Sequence, residues 1–305
     1  MTPAPVHDTA EGSTPMAIFG AGGFVGRAIV EELKADPGFD VRGVSSQDAD
    51  LRDSAQFRAA SAKIPPRAAW VIAAAVSPDR GVPLLDGMMD NLAMARNLAE
   101  AIASGHAARV IFLSSIDVYG REKLDLPLSE TSPIRPSSYY AVSKYASELI
   151  YTEACRHAGV PLAVLRLPGV YGPGDPHHGP VSSFLRAALA QTPITVYGDG
   201  NQRRDLLYVR DIPRIIALIA RDGATGVFNA VTGNTMSLNE MLHVISELKG
   251  CELPVTYERA APQFDLRFRK SLLLRHFPSL HFTPLENGLR ETYACLLNAA
   301  RSAAP

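Results

Sequence analysis

The sequence predicts an α/β protein, a doubly wound parallel sheet followed by a smaller α+β region. Three observations lead there. Apolar runs at residues 16–19, 39–44, 69–76, 109–113 and 160–165 alternate with helical patterns, the rhythm of a sheet with helices on its faces. The runs at 69–76 and 109–113 are continuous rather than alternating, as expected of strands covered on both sides. Beyond residue 231 the elements shorten to helices around 239–249 and 284–299 and a strand near 254–257.

Composition sets the outer bounds. The chain has 305 residues, 47% hydrophobic and 20% charged, with 30 basic against 31 acidic residues and a formal net charge of -1. That balance argues against a nucleic-acid or an anionic-membrane partner. Cys155, Cys251 and Cys295 are far apart and odd in number, so neither a disulfide framework nor a metal site is expected. Buried free thiols in a reducing cytoplasm are the expectation. Residues 1–14 are small, polar and Pro-bearing, without the apolar core of a signal peptide, and read as a flexible tail. No apolar run reaches the ~18 residues that a membrane-spanning helix needs.

In chain order, the first strand breaks into Gly20-Ala21-Gly22-Gly23-Phe24-Val25-Gly26, and a helix is expected over residues 27–35. Glycines let the backbone approach a pyrophosphate, and a helix N-terminus offers free N–H groups and partial positive charge. A dinucleotide suits that turn, because it follows a first strand and opens a helix. The second strand, 39–44, is followed by Ser45 and Ser46 rather than an acid that would grip a ribose hydroxyl and repel a 2′-phosphate. No arginine replaces it, so NAD and NADP both stay open. In Asp50-Leu51-Arg52-Asp53 an acid either faces the adenine amino group or caps a helix over residues 54–62.

A helix over residues 84–104 precedes the strand at 109–113, after which Ser114-Ser115-Ile116-Asp117 begins at the sheet's carboxyl edge, where such folds hold ligands. Residues 121–136 form a polar loop. A helix over residues 139–157 carries Tyr140 and Lys144 four positions apart, sharing a face. At roughly 100° per residue Tyr140 lies about 40° from Lys144 and Tyr139 about 140°, so Tyr140 is the better partner. A tyrosine titrates near ~10, and a nearby cation would stabilise its phenolate. Spacing alone favours a plain amphipathic pair. Residues 172–180 read as loop, and His177 and His178 as a solvated turn rather than metal ligands. A helix at 184–190 and a strand at 194–197 lead to a glycine turn holding Arg203 and Arg204, which suit a phosphate clamp. A strand at 206–209 and a helix at 212–220 follow.

Together these residues resemble the extended short-chain dehydrogenase/reductase family, in its branch of NAD(P)-dependent nucleotide-sugar epimerases, dehydratases and ketoreductases. The resemblance spans roughly residues 16–297. It rests on Gly20, Gly23 and Gly26, on Asp50 to Asp53, on Asn91, on Ser114-Ser115-x-x-Val118-Tyr119-Gly120 and on Tyr140-x-x-x-Lys144. It continues with Arg166 before Val170-Tyr171-Gly172-Pro173, and with Gly198-Asp199-Gly200-Asn201-Gln202-x-Arg204-Asp205 followed by Tyr208-Val209-x-Asp211.

The resemblance implies a Rossmann-type sheet with a smaller α+β substrate domain. Residues 1–14 would be tail, 15–170 with about 206–231 the dinucleotide-binding domain, and 171–205 with 232–305 the substrate-binding domain. It implies Ser115, Tyr140 and Lys144 as catalytic, with Tyr140 exchanging a proton and Lys144 lowering its pKa and holding the nicotinamide ribose. NAD or NADP would be held by Gly20, Gly22, Gly23, Phe24, Val25 and Gly26. Ser45, Asp50, Leu51 and the alanines Ala73, Ala74 and Ala75 would join them, with Asn91, Pro168, Tyr140 and Lys144. A nucleotide sugar would meet Ser115, Asp117, Gly169, Arg204 and Asp265, with Arg204 on the diphosphate. No metal is implied, and a homodimer through the helices at 84–104 and 139–157 is expected.

Two departures bear on the reaction. Gly169 stands where many members carry an Asn that touches substrate, and Ile116-Asp117 keeps half of the acid pair of the dehydratases. The implied activity is hydride transfer at a ring carbon, expected at C4, as a nucleotide-sugar epimerase. The alternative is an NADPH-dependent keto-sugar reductase; a 4,6-dehydratase and a non-catalytic dinucleotide-binding protein rank below both.

Overall fold

The computed structural model describes residues 12–78, 81–121, 127–176, 179–259, 265–269 and 271–302. Its elements follow the expected alternation. The apolar stretch of β1 (Thr14–Phe19) is buried from Met16 onward and leads through the glycine turn into α1 (Phe24–Lys34) and β2 (Phe39–Val44). Then come α2 (Ser54–Ser61), capped by the Asp53 carboxylate on the backbone N–H of Ala55 and Gln56, and the fully buried β3 (Ala68–Ile72). They are followed by α3 (Leu84–Ala103), β4 (Ala107–Ser115), a 3-10 turn at Ile116–Tyr119, α4 (Tyr139–Ala158) and β5 (Leu162–Leu167).

The chain continues as β6 (Gly169–Tyr171), α5 (Pro180–Ala190), β7 (Ile194–Tyr197), β8 (Arg203–Tyr208), α6 (Asp211–Asp222) and β9 (Gly226–Asn229). Last come β10 (Thr235–Ser237), α7 (Leu238–Lys249), β11 (Val255–Glu258), α8 (Leu272–His276) and α9 (Leu285–Ser302).

Two compact units result. The first takes the described residues up to Gly120 together with Pro133–Arg166 and Ile212–Asn229. Its six strands lie in the order β2-β1-β3-β4-β5-β9, with parallel pairing at β1·β2, β1·β3, β3·β4 and β5·β9. The order reverses direction between β1 and β3. In a doubly wound sheet that switch point opens a crevice at the carboxyl ends of the strands. Below it, Phe19, Phe57 and Trp70 form a buried aromatic group, with the Phe19 and Trp70 ring centroids 4.8 Å apart, edge to face.

The second unit takes Arg121–Ser132, Leu167–Asp211 and residues from Ala230 on. It holds a three-stranded sheet, β10-β8-β6, a two-stranded one, β11-β7, and a core that includes Phe184, Leu185, Met241, Ile245 and Leu289.

The differences from the sequence reading have physical causes. Thr14 is a strand residue, since its N–H donates to the Gly38 carbonyl and it pairs with Phe39, so residue 14 does not belong to a tail. Helix α1 starts three residues earlier than expected, at Phe24. Strand β3 ends at Ile72, and Ala73 to Val76 leave the sheet. Strand β4 runs on through Ser114 and Ser115. Strands β6, β9 and β10 and helix α8 are too short to have carried a periodic signal.

The boundary between units shifts as well: β8 pairs with β6 and β10, which assigns residues 206–211 to the second unit. Leu128 bridges Phe268, and its segment goes with that unit too. Cys155 is buried, with its thiol pushed up to about 12 by burial, whereas Cys251 and Cys295 are exposed, unlike the three buried thiols expected. His177 and His178 lie outside the described residues. Among the described residues no helix is long and apolar enough to cross a membrane, and no cluster of His, Cys, Asp or Glu is arranged to hold a metal ion.

Within α1, Gly26 packs directly against the glycine turn. A Cβ there would stand 2.0 Å from the Gly20 carbonyl oxygen, a contact no side chain could relieve because both partners are backbone. Gly26→Ala should therefore destabilise the chain by about 1–3 kcal/mol, as overpacking does. Denaturant unfolding of the variant beside the parent measures it, and an unchanged midpoint would contradict the tight turn.

Candidate active site

The glycine turn and the end of β3 build one wall each of a cavity of about 420 Å³. Gly20 has φ +90°, and a Cβ on it would stand 2.6 Å from the Ala74 backbone nitrogen. The two backbones thus approach as closely as glycine alone allows. Gly20, Gly22, Gly23, Ser45, Asp50, Leu51, Ala73, Ala74 and Ala75, all among the expected cofactor residues, line this cavity. The small side chains leave room against the peptide groups, and the N-terminus of α1, whose N-cap is Gly23 without a side-chain cap, faces the turn. A cradle of bare backbone at a helix N-terminus fits a dinucleotide pyrophosphate.

Other expected cofactor residues serve the cradle from behind. Phe24 and Gly26 are buried in α1, and Val25 is half-buried there. The Asn91 side-chain amide accepts from Val76 N–H at 2.7 Å and donates to the Val76 carbonyl at 3.1 Å and to Ser143 Oγ at 3.0 Å. Asn91 therefore fixes the segment after β3 and ties it to α4. Pro168 belongs to the second unit.

The rim carries charges that the sequence did not reveal. Arg52 lines the cavity, held by Asp50 through contacts of 2.8–3.1 Å and by Asp90 at 2.8 Å. Asp50 thus holds an arginine at the cavity mouth, and the helix cap, the other role expected of an acid in this run, is made by Asp53. Asp90 sits 38 residues away on α3, and only the fold brings it to Arg52.

Ser115, Tyr140 and Lys144 gather at the carboxyl end of β4. Ser115 ends the strand, and its Oγ accepts from Asp117 N–H at 3.1 Å, which starts the 3-10 turn. Helix α4 is capped by Ser138 Oγ on Ala141 N–H, and Ser143 Oγ donates to the Tyr140 carbonyl. Tyr140 borders a recess with Val76 and Val82, two residues that also line the cradle cavity. Tyr139 is 48% exposed and borders neither, which leaves Tyr140 as the partner of Lys144.

The electrostatics differ from the expectation. Lys144 is buried, and its ammonium donates to the Leu113 carbonyl at 2.6 Å. It lies 4.9 Å from the Phe112 ring centroid and 5.9 Å from that of Tyr140. Burial pushes Lys144 down to about 8, against the opposing pull of Glu148. Burial also pushes the Tyr140 phenol well above its ordinary value, and the Asp117 carboxylate adds to that. In the protein alone, Lys144 therefore does not bring Tyr140 below its ordinary value.

A buried network underlies the trio. Glu148, one turn beyond Lys144, accepts from Ser114 Oγ at 2.5 Å and from Arg166 in a bidentate pair of 3.0 and 2.7 Å. Arg166 also donates to the Tyr119 hydroxyl at 2.9 Å, which donates to Asn229 at 2.8 Å. Five residues from α4, β4, the 3-10 turn, β5 and β9 are thereby locked, all of them buried. Glu148 carried no sequence signal beyond lying four residues after Lys144.

In the second unit the arginine pair divides. Both residues begin β8 rather than the glycine turn. Arg203 is committed to Thr235 Oγ1 and carbonyl and to Glu240, so it does not serve as half of a clamp. Arg204 is half-buried beside it. Asp265 accepts from Arg203 N–H at 2.9 Å and pairs with Arg267 at 2.7 Å, which holds the strand in place. Gly169 is exposed at the start of β6, whose register sets it beside Leu206.

Residues 16–230 match the model of the NAD dependent epimerase/dehydratase family. The chain belongs to that family. It is therefore an extended short-chain dehydrogenase/reductase of the nucleotide-sugar kind, with a Rossmann-type sheet and a nicotinamide cofactor, NAD or NADP. The UDP-glucose 4-epimerase of Mycolicibacterium smegmatis is 30% identical over 268 residues, covering 76% of this chain and 82% of that protein. A dTDP-glucose 4,6-dehydratase of Neisseria meningitidis serogroup B is 27% identical over 275 residues, 81% and 77% of the two chains. Among solved structures, the UDP-glucose 4-epimerase of Thermus thermophilus in complex with NAD superposes with a TM-score of 0.81 at 27% identity, over 95% and 99% of the chains.

In this epimerase/dehydratase family member Glu148 neutralises a buried guanidinium. Glu148→Ala should lower the unfolding free energy by about 3–5 kcal/mol, the cost of leaving one buried charge unpaired. Urea denaturation reads the change, and a loss below about 1 kcal/mol would contradict the network's role.

Proposed function

We propose that the chain is a nucleotide-sugar epimerase acting by hydride transfer at C4 of the sugar. The observation that carries this is the meeting of Ser115, Tyr140 and Lys144 at the end of β4, beside a cavity whose glycine and alanine walls fit a dinucleotide. The cradle residues Gly20, Gly22, Gly23 and Ala73 to Ala75 would hold the pyrophosphate, and Lys144 the nicotinamide ribose. When bound, the oxidised cofactor supplies a hydride acceptor and the extra positive charge that the Tyr140 phenol needs to ionise.

Tyr140 takes the proton from the sugar hydroxyl as the carbonyl forms and returns it when the hydroxyl is restored. Ser115 Oγ, oriented by Asp117 N–H, donates to the same oxygen as its charge develops. The Lys144 ammonium, fixed on Leu113, stabilises the phenolate before the proton is taken and after it is returned. Asp117 opposes phenolate formation and thereby makes Tyr140 a strong base once it is ionised. In the second unit Arg204 is the candidate for the substrate diphosphate. The acid pair of dehydratases is half missing at Ile116-Asp117, which favours epimerisation over elimination. The exposed Leu84, Leu85 and Met89 of α3 and Val142 and Leu149 of α4 support a homodimer through this helix pair.

Epimerisation and keto-sugar reduction separate in one assay. With UDP-hexoses the epimerase interconverts C4 isomers with no net change in the absorbance of reduced cofactor, whereas its stoichiometric loss would assign reduction instead. Tyr140→Phe should reduce kcat by about 10²-fold or more, the share of a positioned acid/base; a rate within about threefold of the parent would remove Tyr140 from the chemistry.

A further inference from the structure

A second cavity, of about 320 Å³, opens between α2 and α3 in the first unit. None of its lining residues lines the cradle cavity. Helix periodicity builds it. Ser54, Arg58 and Ala62 stand four apart along α2 and its C-cap, while Asn97, Ala101 and Ser104 stand four and three apart along α3 and its C-cap, so each set shares one helix face. Phe57, which packs on Phe19 and Trp70, gives the groove an apolar floor.

Two polar groups of this groove are unused. Asn97 is only 3% exposed, and its Nδ2 donates to the Leu51 carbonyl at 2.8 Å and to the Arg52 carbonyl at 3.0 Å. Two carbonyl partners fix which end of the amide is nitrogen, and neither Leu51 nor Arg52 lines the groove, so the oxygen is the end turned to it. That oxygen has no hydrogen-bond partner among the described residues, a costly condition for a buried acceptor. The Arg58 side chain, one turn along α2 from Ser54, likewise has no hydrogen bond or ion pair among the described residues. Glu100, the acid of the groove, is paired with Arg96 at 3.4 Å, and His106 Nδ1 donates to the Ala101 carbonyl at 3.1 Å. The groove therefore offers one uncommitted cation and one buried, unpaired acceptor.

We propose that the groove between α2 and α3 is a second ligand site, for a small carboxylic acid that carries an N–H or O–H donor about one helical turn, ~5 Å, from its charge: the carboxylate meets Arg58 and the donor meets Asn97 Oδ1. One cation balances a monoanion, which favours a carboxylate over a doubly charged phosphate. Because Oδ1 is closed to solvent, binding includes a rotation of the exposed rim side chains Arg58 and Glu100 as the donor enters. The site goes beyond the epimerase reading and does not depend on it. It adjoins the cradle all the same, since the two carbonyls that hold Asn97 belong to residues lining the cradle cavity.

Calorimetric titration of the full chain with 4-hydroxybenzoate tests this, with benzoate as the charge without the donor and phenol as the donor without the charge. The hydroxybenzoate should saturate and bind roughly tenfold or more tightly than either, as a hydrogen bond to a charged group and one to a buried acceptor require. Arg58→Gln, at an exposed position, should weaken it by roughly tenfold. Ala62→Trp, which fills the groove from another exposed position, should abolish binding, and saturating ADP-ribose should not displace the probe. Absence of saturable binding, equal affinity for benzoate, indifference to either substitution, or displacement by ADP-ribose would overturn the second site. None of these outcomes bears on the epimerase reading, which the isomerisation assay tests separately.

Discussion

The structure of the site depends on one buried carboxylate. Glu148 holds Arg166 and Ser114 together, and through Arg166 it reaches Tyr119 and Asn229, so four strands and turns are fixed against the helix that carries Tyr140 and Lys144. A buried guanidinium is tolerated only when it is paired and hydrogen-bonded. Here the pairing also orients function: Ser114 precedes Ser115, and Glu148 follows Lys144 by one turn. The same carboxylate pulls Lys144 towards its charged form against the burial that pushes it down. Removing it would disturb both the position of the lysine and its charge.

A second constraint is the closeness of two backbones. Gly20 against Ala74, and Gly26 against Gly20, leave no room for side chains, and the space so kept lies at the switch point of the sheet. Asn91 completes it by gripping Val76 on one side and Ser143 on the other, which ties the cradle to the helix of the candidate acid/base. The cradle and the helix bearing Tyr140 thus share one scaffold within the first unit.

Much of this was legible in the sequence because it is local. The glycine turn, the alternating strands and the Tyr140–Lys144 spacing each lie within a few residues, and the order of the motifs along the chain identified the family. What was not legible involves partners distant in sequence or hidden by a turn. Glu148 and Arg166 meet across a helix and a strand, and Asp90 reaches Arg52 from another helix. Asp48 escaped notice because it stands three residues past Ser45 and accepts from its N–H and hydroxyl only through a turn. Arg203 looked like half of a phosphate clamp until the pairing of β8 with β10 set its guanidinium on Thr235 and Glu240. The ordering of the Tyr140 and Lys144 pKa values also depended on burial, which no spacing reports.

The proposed reaction makes one demand that other chemistries of the same family do not share: the hydrogen leaving C4 must come back to C4. A UDP-hexose carrying deuterium at C4, incubated with the purified chain and analysed by NMR, tests this directly. The expected product has inverted configuration at C4 and retains the deuterium there. Loss of the label to solvent, or no inversion across the hexoses tried, would contradict hydride transfer at C4 by Ser115, Tyr140 and Lys144.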